Sequence, residues 1–291
     1  MAPRIEVASA SDYSLDALTS AFNHAFTGYY LPMTQTPASL AEMMHENEVR
    51  VDASRVLLLD GAVEGVGLVG MRDDRAWVGG MGIGPRWRGQ GYGRLLLDHL
   101  LDAMHGARVR LAQLEVLTIN TPALALYERA GFRDVRELRV YQGALRPTSA
   151  EESTDSIGAG ARYGIVSPAF ALPALETERT VAPAWQREPR TLERVRVPLS
   201  GLGFWEGPRL RAYILYGQRQ GGIVIYDALS AAVETDSARA DITALLRRLV
   251  ADQPETLVRA INTPASDPLG AALDWLGCTV VMRQREMART L

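Results

Sequence analysis

A chain of 291 residues is long enough for about two domains of ordinary size. Its 47 % apolar and 22 % charged residues exclude a long disordered, collagen-like or coiled-coil architecture. All 31 basic residues are arginine, which excludes a pyridoxal Schiff base and a lysine-bearing phosphate loop. The net charge of −3 exerts no global pull toward nucleic acid.

One cysteine, Cys278, and four scattered histidines, His24, His45, His99 and His105, permit no intrachain disulfide and have no metal-ligand spacing. No metal is expected. The opening MAPRIEVASA lacks a signal pattern, and no apolar run approaches the roughly 18 to 20 residues that cross a bilayer. The expectation is a cytoplasmic protein without a membrane or nucleic-acid partner.

In chain order the patterning predicts a strand at Ile5–Ala8, helices at Tyr13–Phe26 and Ala38–Glu46, and strands at Val56–Asp60, Val63–Arg72 and Ala76–Ile83. After Gly91, the residues Leu95, Leu96, Leu100, Leu101 and Met104 gather on one helix face. A strand at Leu111–Ile119, a helix at Pro122–Ala130 stopped by Gly131, and a strand at Val135–Tyr141 follow. The small, acidic and turn-forming residues of Arg146–Ala161 mark a linker. The expected organisation is a domain over 1–146, a linker over 147–160 and a second domain over 161–291.

The second half carries an echo of the first. Ile119-Asn120-Thr121-Pro122-Ala123 recurs as Ile261-Asn262-Thr263-Pro264-Ala265, each copy expected after an apolar strand and before a helix ending at Gly131 or Gly277. Strands at Arg211–Tyr216 and Gly222–Tyr226 and a helix at Ala238–Val250 complete the correspondence. Two related folds in tandem are inferred.

The segment Met81–Arg94 is the most informative. Gly89, Gly91 and Gly93, between a strand and an amphipathic helix, let successive amides turn toward one point. The positive end of the helix completes an anion site suited to a pyrophosphate. Arg86, Arg88 and Arg94 supply positive charge. Arg94 occupies the place where the dinucleotide fingerprint needs its third glycine, which disfavours a dinucleotide.

Arg88-x-x-Gly91-x-Gly93, then Leu114-Glu115-Val116, Asn120 and Leu126-Tyr127-Glu128-Arg129-Ala130-Gly131-Phe132, resemble the acyl-CoA motifs of the GNAT superfamily of N-acetyltransferases. The resemblance covers about residues 4–142. It implies an α/β (α+β) fold with a splayed mixed β-sheet flanked by helices, and acetyl-CoA as co-substrate in the opening. By position, the backbones of Met81, Gly82 and Ile83 would meet pantetheine. Arg88, Gly89, Gln90, Gly91, Tyr92, Gly93 and Arg94 would wrap the pyrophosphate, and Asn120 would join the cofactor site.

Acetyl transfer to an amine needs a base for the incoming ammonium and an acid for the departing thiolate. Glu115, a carboxylate in an otherwise apolar strand, is the candidate base, and partial burial would raise its pKa. Tyr127 matches the family tyrosine that protonates the sulfur. Glu115 could instead face solvent or pair with an arginine, Tyr127 could be a core residue, and Asn120 could simply cap its helix. Phe26, Tyr29 and Tyr30 lie where the family builds its acceptor wall and could line an amine pocket or pack on the sheet.

Aligning the second half on the repeated pentapeptide puts Leu257 at the place of Glu115, and counting back from the terminal glycines puts Leu273 at the place of Tyr127. No glycine lies between Gly222 and Gly270, and Ala238-Arg239-Ala240-Asp241 makes an acidic helix start that would repel pyrophosphate. One working site is expected, with the second half as a degenerate copy serving as scaffold, dimer surface or acceptor wall. The functional expectation is an acetyl-CoA-dependent N-acetyltransferase acting on a small-molecule or peptide primary amine. A non-catalytic CoA-sensing or interaction module is the alternative, and an acyltransferase resembling mycothiol synthase is a third.

Overall fold

A computed structural model describes residues 3–146, 161–219 and 221–291; the expected linker over 147–160 lies outside the described residues. The chain divides into two compact units, one of residues up to Arg136 together with Arg285–Leu291, the other of Glu137–Gln284. Residues 137–146 and 285–291 therefore pack in the unit opposite to the one the sequence boundaries assigned them.

The first unit runs β1 (Ile5–Ser9), α1 (Leu15–Ala25), α2 (Pro37–Glu46), β2 (Arg55–Leu59), β3 (Ala62–Arg72), β4 (Arg75–Ile83), α3 (Tyr92–Gly106), β5 (Leu111–Leu117), α4 (Thr121–Arg129) and the start of β6 (Arg133–Ala144). Local chemistry sets the helix starts. The Ser14 side chain accepts from the Ala17 amide at 3.2 Å to cap α1, and Thr36 and Ser39 cap α2 reciprocally with Pro37 at its first position. Leu96, Leu100, Leu101 and Met104 lie on the buried face of α3 as their spacing predicted, but Leu97 joins them there, and Leu95, expected on that face, is only partly buried.

Strand order in this unit is β1-β2-β3-β4-β5-β12-β6, where β12 (Thr279–Thr290) contributes its residues from Arg285 onward. Met287 is 2 % exposed and packs with Leu114, Val116 and Phe132 in one core. The Leu291 amide donates to the Arg110 carbonyl at 3.0 Å, and Arg289 donates to the Ala130 carbonyl at 2.6 Å. A second core joins Leu18 and Phe22 of α1 and Leu40 of α2 to Val56, Val66 and Leu68.

The second unit holds the remainder of β6, β7 (Ala161–Val166), α5 (Pro168–Ala174), α6 (Pro189–Leu192), β8 (Ser200–Glu206), β9 (Arg209–Arg219), β10 (Gly222–Ser230), α7 (Thr235–Val250), β11 (Leu257–Pro264), α8 (Pro268–Trp275) and the start of β12. Its order is β12-β6-β11-β10-β9-β8-β7, with β10 and β11 parallel. Ile214, Ile225, Leu245, Leu246, Val258 and Leu273 anchor its core. Each unit thus has antiparallel strands, one parallel pair joined through a helix, and a further helix, the tandem arrangement expected.

Candidate active site

The site begins with a fork in the sheet. β4 pairs in parallel with β5 only from Arg75 opposite Leu111 to Val78 opposite Leu114. At the next residue, Gly79, the pairing of β4 with β3 shifts by one, so that Leu68 faces Gly80 while Val69 faces Val78. This bulge re-aims the rest of β4. Gly80–Ile83 stay paired with β3, and among the described residues they have no partner in β5. Met81, Gly82 and Ile83 thus form a strand edge that leaves β5 at the level of Glu115.

Glycines along this edge let α1 approach. A Cβ at Gly80 would lie 2.9 Å from the Phe22 ring, and one at Gly82 would lie 3.0 Å from the Ala25 carbonyl oxygen. Arg88 locks the same contact. Its guanidinium donates to the carbonyls of Ile83 at 3.0 Å, Ala25 at 3.0 Å and Thr27 at 2.7 Å, capping the carbonyl end of α1. The side chain expected to meet phosphate is committed to bracing α1 against β4. Arg94 pairs with Asp98 at 2.8 Å, and Arg86 lies over the Trp87 ring.

The loop that follows has the backbone the glycines predicted. Gly89 (φ +73°) and Gly91 (φ +91°) are left-handed, and a Cβ on either would meet nothing within 4 Å. Gly91 occupies the N-cap of α3, so no side chain caps this helix. Among the described residues the amides of Gly89, Gln90, Gly91, Tyr92 and Gly93 meet no acceptor. Unfilled amides, a helix N-terminus and open space above the glycines together fit an anionic diphosphate.

Two groups able to move protons stand near the fork. Glu115, on β5 immediately after its last pair with β4, accepts a hydrogen bond from the Trp77 indole at 2.7 Å. Tyr127 lies on α4, which Asn120 caps by accepting from the Ala123 amide at 3.3 Å. After α4, the amides of Gly131 and Phe132 bond back to the carbonyls of Glu128 and Tyr127. Gly131 (φ +89°) permits this closure, which brings Phe132 edge-on to Tyr127 at 5.8 Å between centroids.

Tyr127 is 7 % exposed. Burial pushes its phenol pKa well above the ordinary value, and the neighbouring Tyr29 phenol pushes it further in the same direction, so it stays protonated at neutral pH. For Tyr29, burial raises the pKa, a hydrogen bond with the Asn120 side chain opposes that rise, and Tyr30 adds to it. The loop after α1 therefore brings Tyr29 to Asn120 and Tyr127. Phe26 and Tyr30 flank Tyr29, each edge-on at 5.2 and 5.4 Å between centroids, and Tyr30 is half exposed. His99 and His105 lie on α3 away from these residues in sequence, and among the described residues no cluster of His, Cys, Asp and Glu could hold a metal.

Sequence reasoning missed Trp77 and the Gly79 bulge. Two adjacent glycines inside a predicted strand were the available signal. It also misplaced the repeat. Asn120 follows the end of β5 and caps α4, whereas Ile261–Pro264 are strand residues of β11 and Asp267 caps α8. The strand registers give the true correspondence. The last β10–β11 pair is Ile225 with Ala260, directly before a bulge at Tyr226, so Ile261 rather than Leu257 occupies the place of Glu115. Leu273 is fully buried in α8.

The second unit's fork has different surroundings. Arg187, 1 % exposed, donates to the carbonyl of the bulge residue Tyr226 at 3.1 Å and to Asp267 at 3.3 Å. The neighbouring Gln186 accepts from Asn262 at 2.8 Å, and Trp185 is fully buried. Glu234 stands at the N-cap of α7 with no side-chain cap.

Residues 16–132 match the acetyltransferase (GNAT) family. A ribosomal protein bS18-alanine N-acetyltransferase of Escherichia coli is 38 % identical over 68 residues, 23 % of this chain and 46 % of that protein. The N-alpha-acetyltransferase RimI of Mycobacterium tuberculosis is 42 % identical over 78 residues, 26 % of this chain and 48 % of that protein. The chain thus spans about half the length of the curated relatives it matches. A tandem GNAT protein from the clavulanic acid biosynthesis pathway shares the fold with a TM-score of 0.65 at 14 % identity, over 99 % of this chain and 98 % of the other. Among the described residues no helix is long and apolar enough to cross a membrane.

Proposed function

We propose that the GNAT acetyltransferase domain within residues 16–132 makes this chain an acetyl-CoA-dependent N-acetyltransferase, acting on a primary amine by direct transfer in a ternary complex. The observation that carries the reading is the parting of β4 from β5 after Val78 and Leu114, with Glu115 at the fork and buried Tyr127 on the helix after β5. The amides of Gly89–Gly93 would hold the diphosphate, the edge of Met81–Ile83 the pantetheine, and Asn120 the sulfur end. Bound acetyl-CoA supplies an activated thioester.

In this reading Glu115 takes a proton from the incoming ammonium, directly or through water. The amine nitrogen then bonds to the acetyl carbon as the carbon–sulfur bond breaks, and Tyr127 gives its proton to the departing sulfur. The remaining surplus proton of the acylated nitrogen passes through water to the Tyr127 phenolate, which leaves a neutral amide, the free thiol and a protonated Tyr127. A carboxylate base and a neutral phenol acid supply about 10² to 10⁴ in rate for each proton step. Phe26, Tyr29 and Tyr30 would form the acceptor wall.

Similarity to a ribosomal protein bS18-alanine N-acetyltransferase and to an N-alpha-acetyltransferase supports the acceptor we favour, the α-amine of a peptide N-terminus. Its pKa of about 8 leaves part of it neutral near pH 7.5, which eases the task of Glu115. We assign one working site to each chain, because Ile261 and Leu273 cannot transfer protons and the buried Arg187 occupies the main-chain acceptor at the second fork.

Thiol release from acetyl-CoA, followed with an alanine-initiated peptide, an internal-lysine peptide, spermidine and glucosamine, tests the proposal. The alanine-initiated peptide is expected to turn over fastest and to gain an acetyl group on its α-amine. Binding of acetyl-CoA without release from any of the four amines would favour a CoA-sensing module instead.

A further inference from the structure

We propose that Trp77 is a positioning residue for Glu115, its indole N–H holding one carboxylate oxygen so that the carboxylate meets the amine in a single orientation. The proposal rests on Glu115 being the base. Trp77 stands on β4 two residues before the fork and is 4 % exposed. Its indole donates to Glu115 Oε2 at 2.7 Å across the two strands just where they separate. A glutamate at a strand end keeps several rotamers, and ordering it for each turnover costs entropy. A charge-assisted bond from a rigid, packed ring removes that freedom in advance.

The bulge makes room for the ring. A Cβ at Gly79 would fall 2.1 Å from Cζ3 and 2.4 Å from Cη2 of Trp77, so the indole lies against the face of the residue that opens the fork. The glycine that turns β4 away from β5 is also the one that lets the indole reach across to Glu115. Any side chain at 79 would displace the ring while leaving its N–H chemically intact. Gly79→Ala and Trp77→Phe therefore disturb one interaction in two independent ways.

A double-mutant cycle tests this, using the amine of highest turnover from the panel above. Trp77→Phe is expected to lower kcat by on the order of 10-fold, with KM for acetyl-CoA and amine changed less than about twofold. In a Glu115→Gln background, itself strongly impaired, Trp77→Phe is expected to cause no further loss, because the group it positions is gone. Gly79→Ala, measured through the same cycle, should repeat the pattern and serves if Trp77→Phe does not fold. Equal losses of kcat in both backgrounds, or a rise in KM with kcat unchanged, would overturn the role of Trp77 while leaving Glu115 as base. Unimpaired turnover by Glu115→Gln alone would instead remove the base assignment, and the positioning role with it.

Discussion

Deleting Arg285–Leu291 is expected to unfold the unit that carries the proposed active site, although none of its catalytic candidates is removed. Those residues supply the part of β12 that stands beside β5 in the first unit. They bury Met287 among Leu114, Val116, Phe132 and Tyr127, and they pair Glu286 with Arg136. Loss of Met287 alone, as Met287→Ala, should cost about 2 to 5 kcal/mol, and the full deletion also strips strand hydrogen bonds and leaves Arg136 without Glu286. Urea unfolding and acetyl-CoA binding would measure both. A truncated chain that unfolds at the wild-type urea concentration and binds acetyl-CoA normally would contradict the assignment. Removing residues 150–291 takes away the same strand, so loss of activity on that deletion would not make the second unit catalytic.

Tyr127→Phe should lower kcat by about 10² to 10⁴ while the Kd for acetyl-CoA stays within about twofold. The change removes one hydroxyl and keeps the ring that Phe132 packs against. Burial and the adjacent Tyr29 hold the phenol neutral, so the wild-type residue enters each turnover with its proton in place. The effect belongs in the chemical step, and single-turnover kinetics with an alanine-initiated peptide would place it there. Matching losses in kcat and acetyl-CoA affinity would make Tyr127 a packing residue of the cofactor cleft.

The first unit could be read from its residues because its local signals agree. The helices expected over Tyr13–Phe26 and Ala38–Glu46 form within a residue or two of those bounds, most of the leucines expected after Gly91 share a face, and Gly131 follows α4 where its left-handed φ is required. The turn of the glycine loop was equally accessible, since Gly89 and Gly91 adopt the left-handed conformations that glycine favours. Glu115 and Tyr127 came from a motif whose spacing survives in the fold.

What escaped depends on pairing between distant segments. Nothing local in Thr279–Thr290 says that its last residues join the first unit, because an apolar run at Val280–Met282, a polar run at Arg283–Glu286 and the pair Met287–Ala288 name no partner strand. The hydrogen bond from Trp77 to Glu115 spans 38 positions and exists only once the parallel pair has formed. The repeated pentapeptide misled because identical letters serve as a helix start at Asn120 and as strand at Asn262, whose φ of +47° and bonds to Gln186 and Gln284 give it a different task. Arg88 looked like a phosphate ligand because its carbonyl partners lie 61 and 63 residues away in sequence.

Calorimetric titration of acetyl-CoA into the full chain tests the central claim, that the main-chain amides of Gly89–Gly93 form the cofactor's diphosphate site. One molecule per chain is predicted to bind, and Gly91→Val, which forces a branched side chain into a left-handed backbone, should weaken binding at least about 10-fold while the chain still unfolds cooperatively from a folded state. No heat of binding, two equivalent sites, or unchanged affinity in Gly91→Val would contradict it.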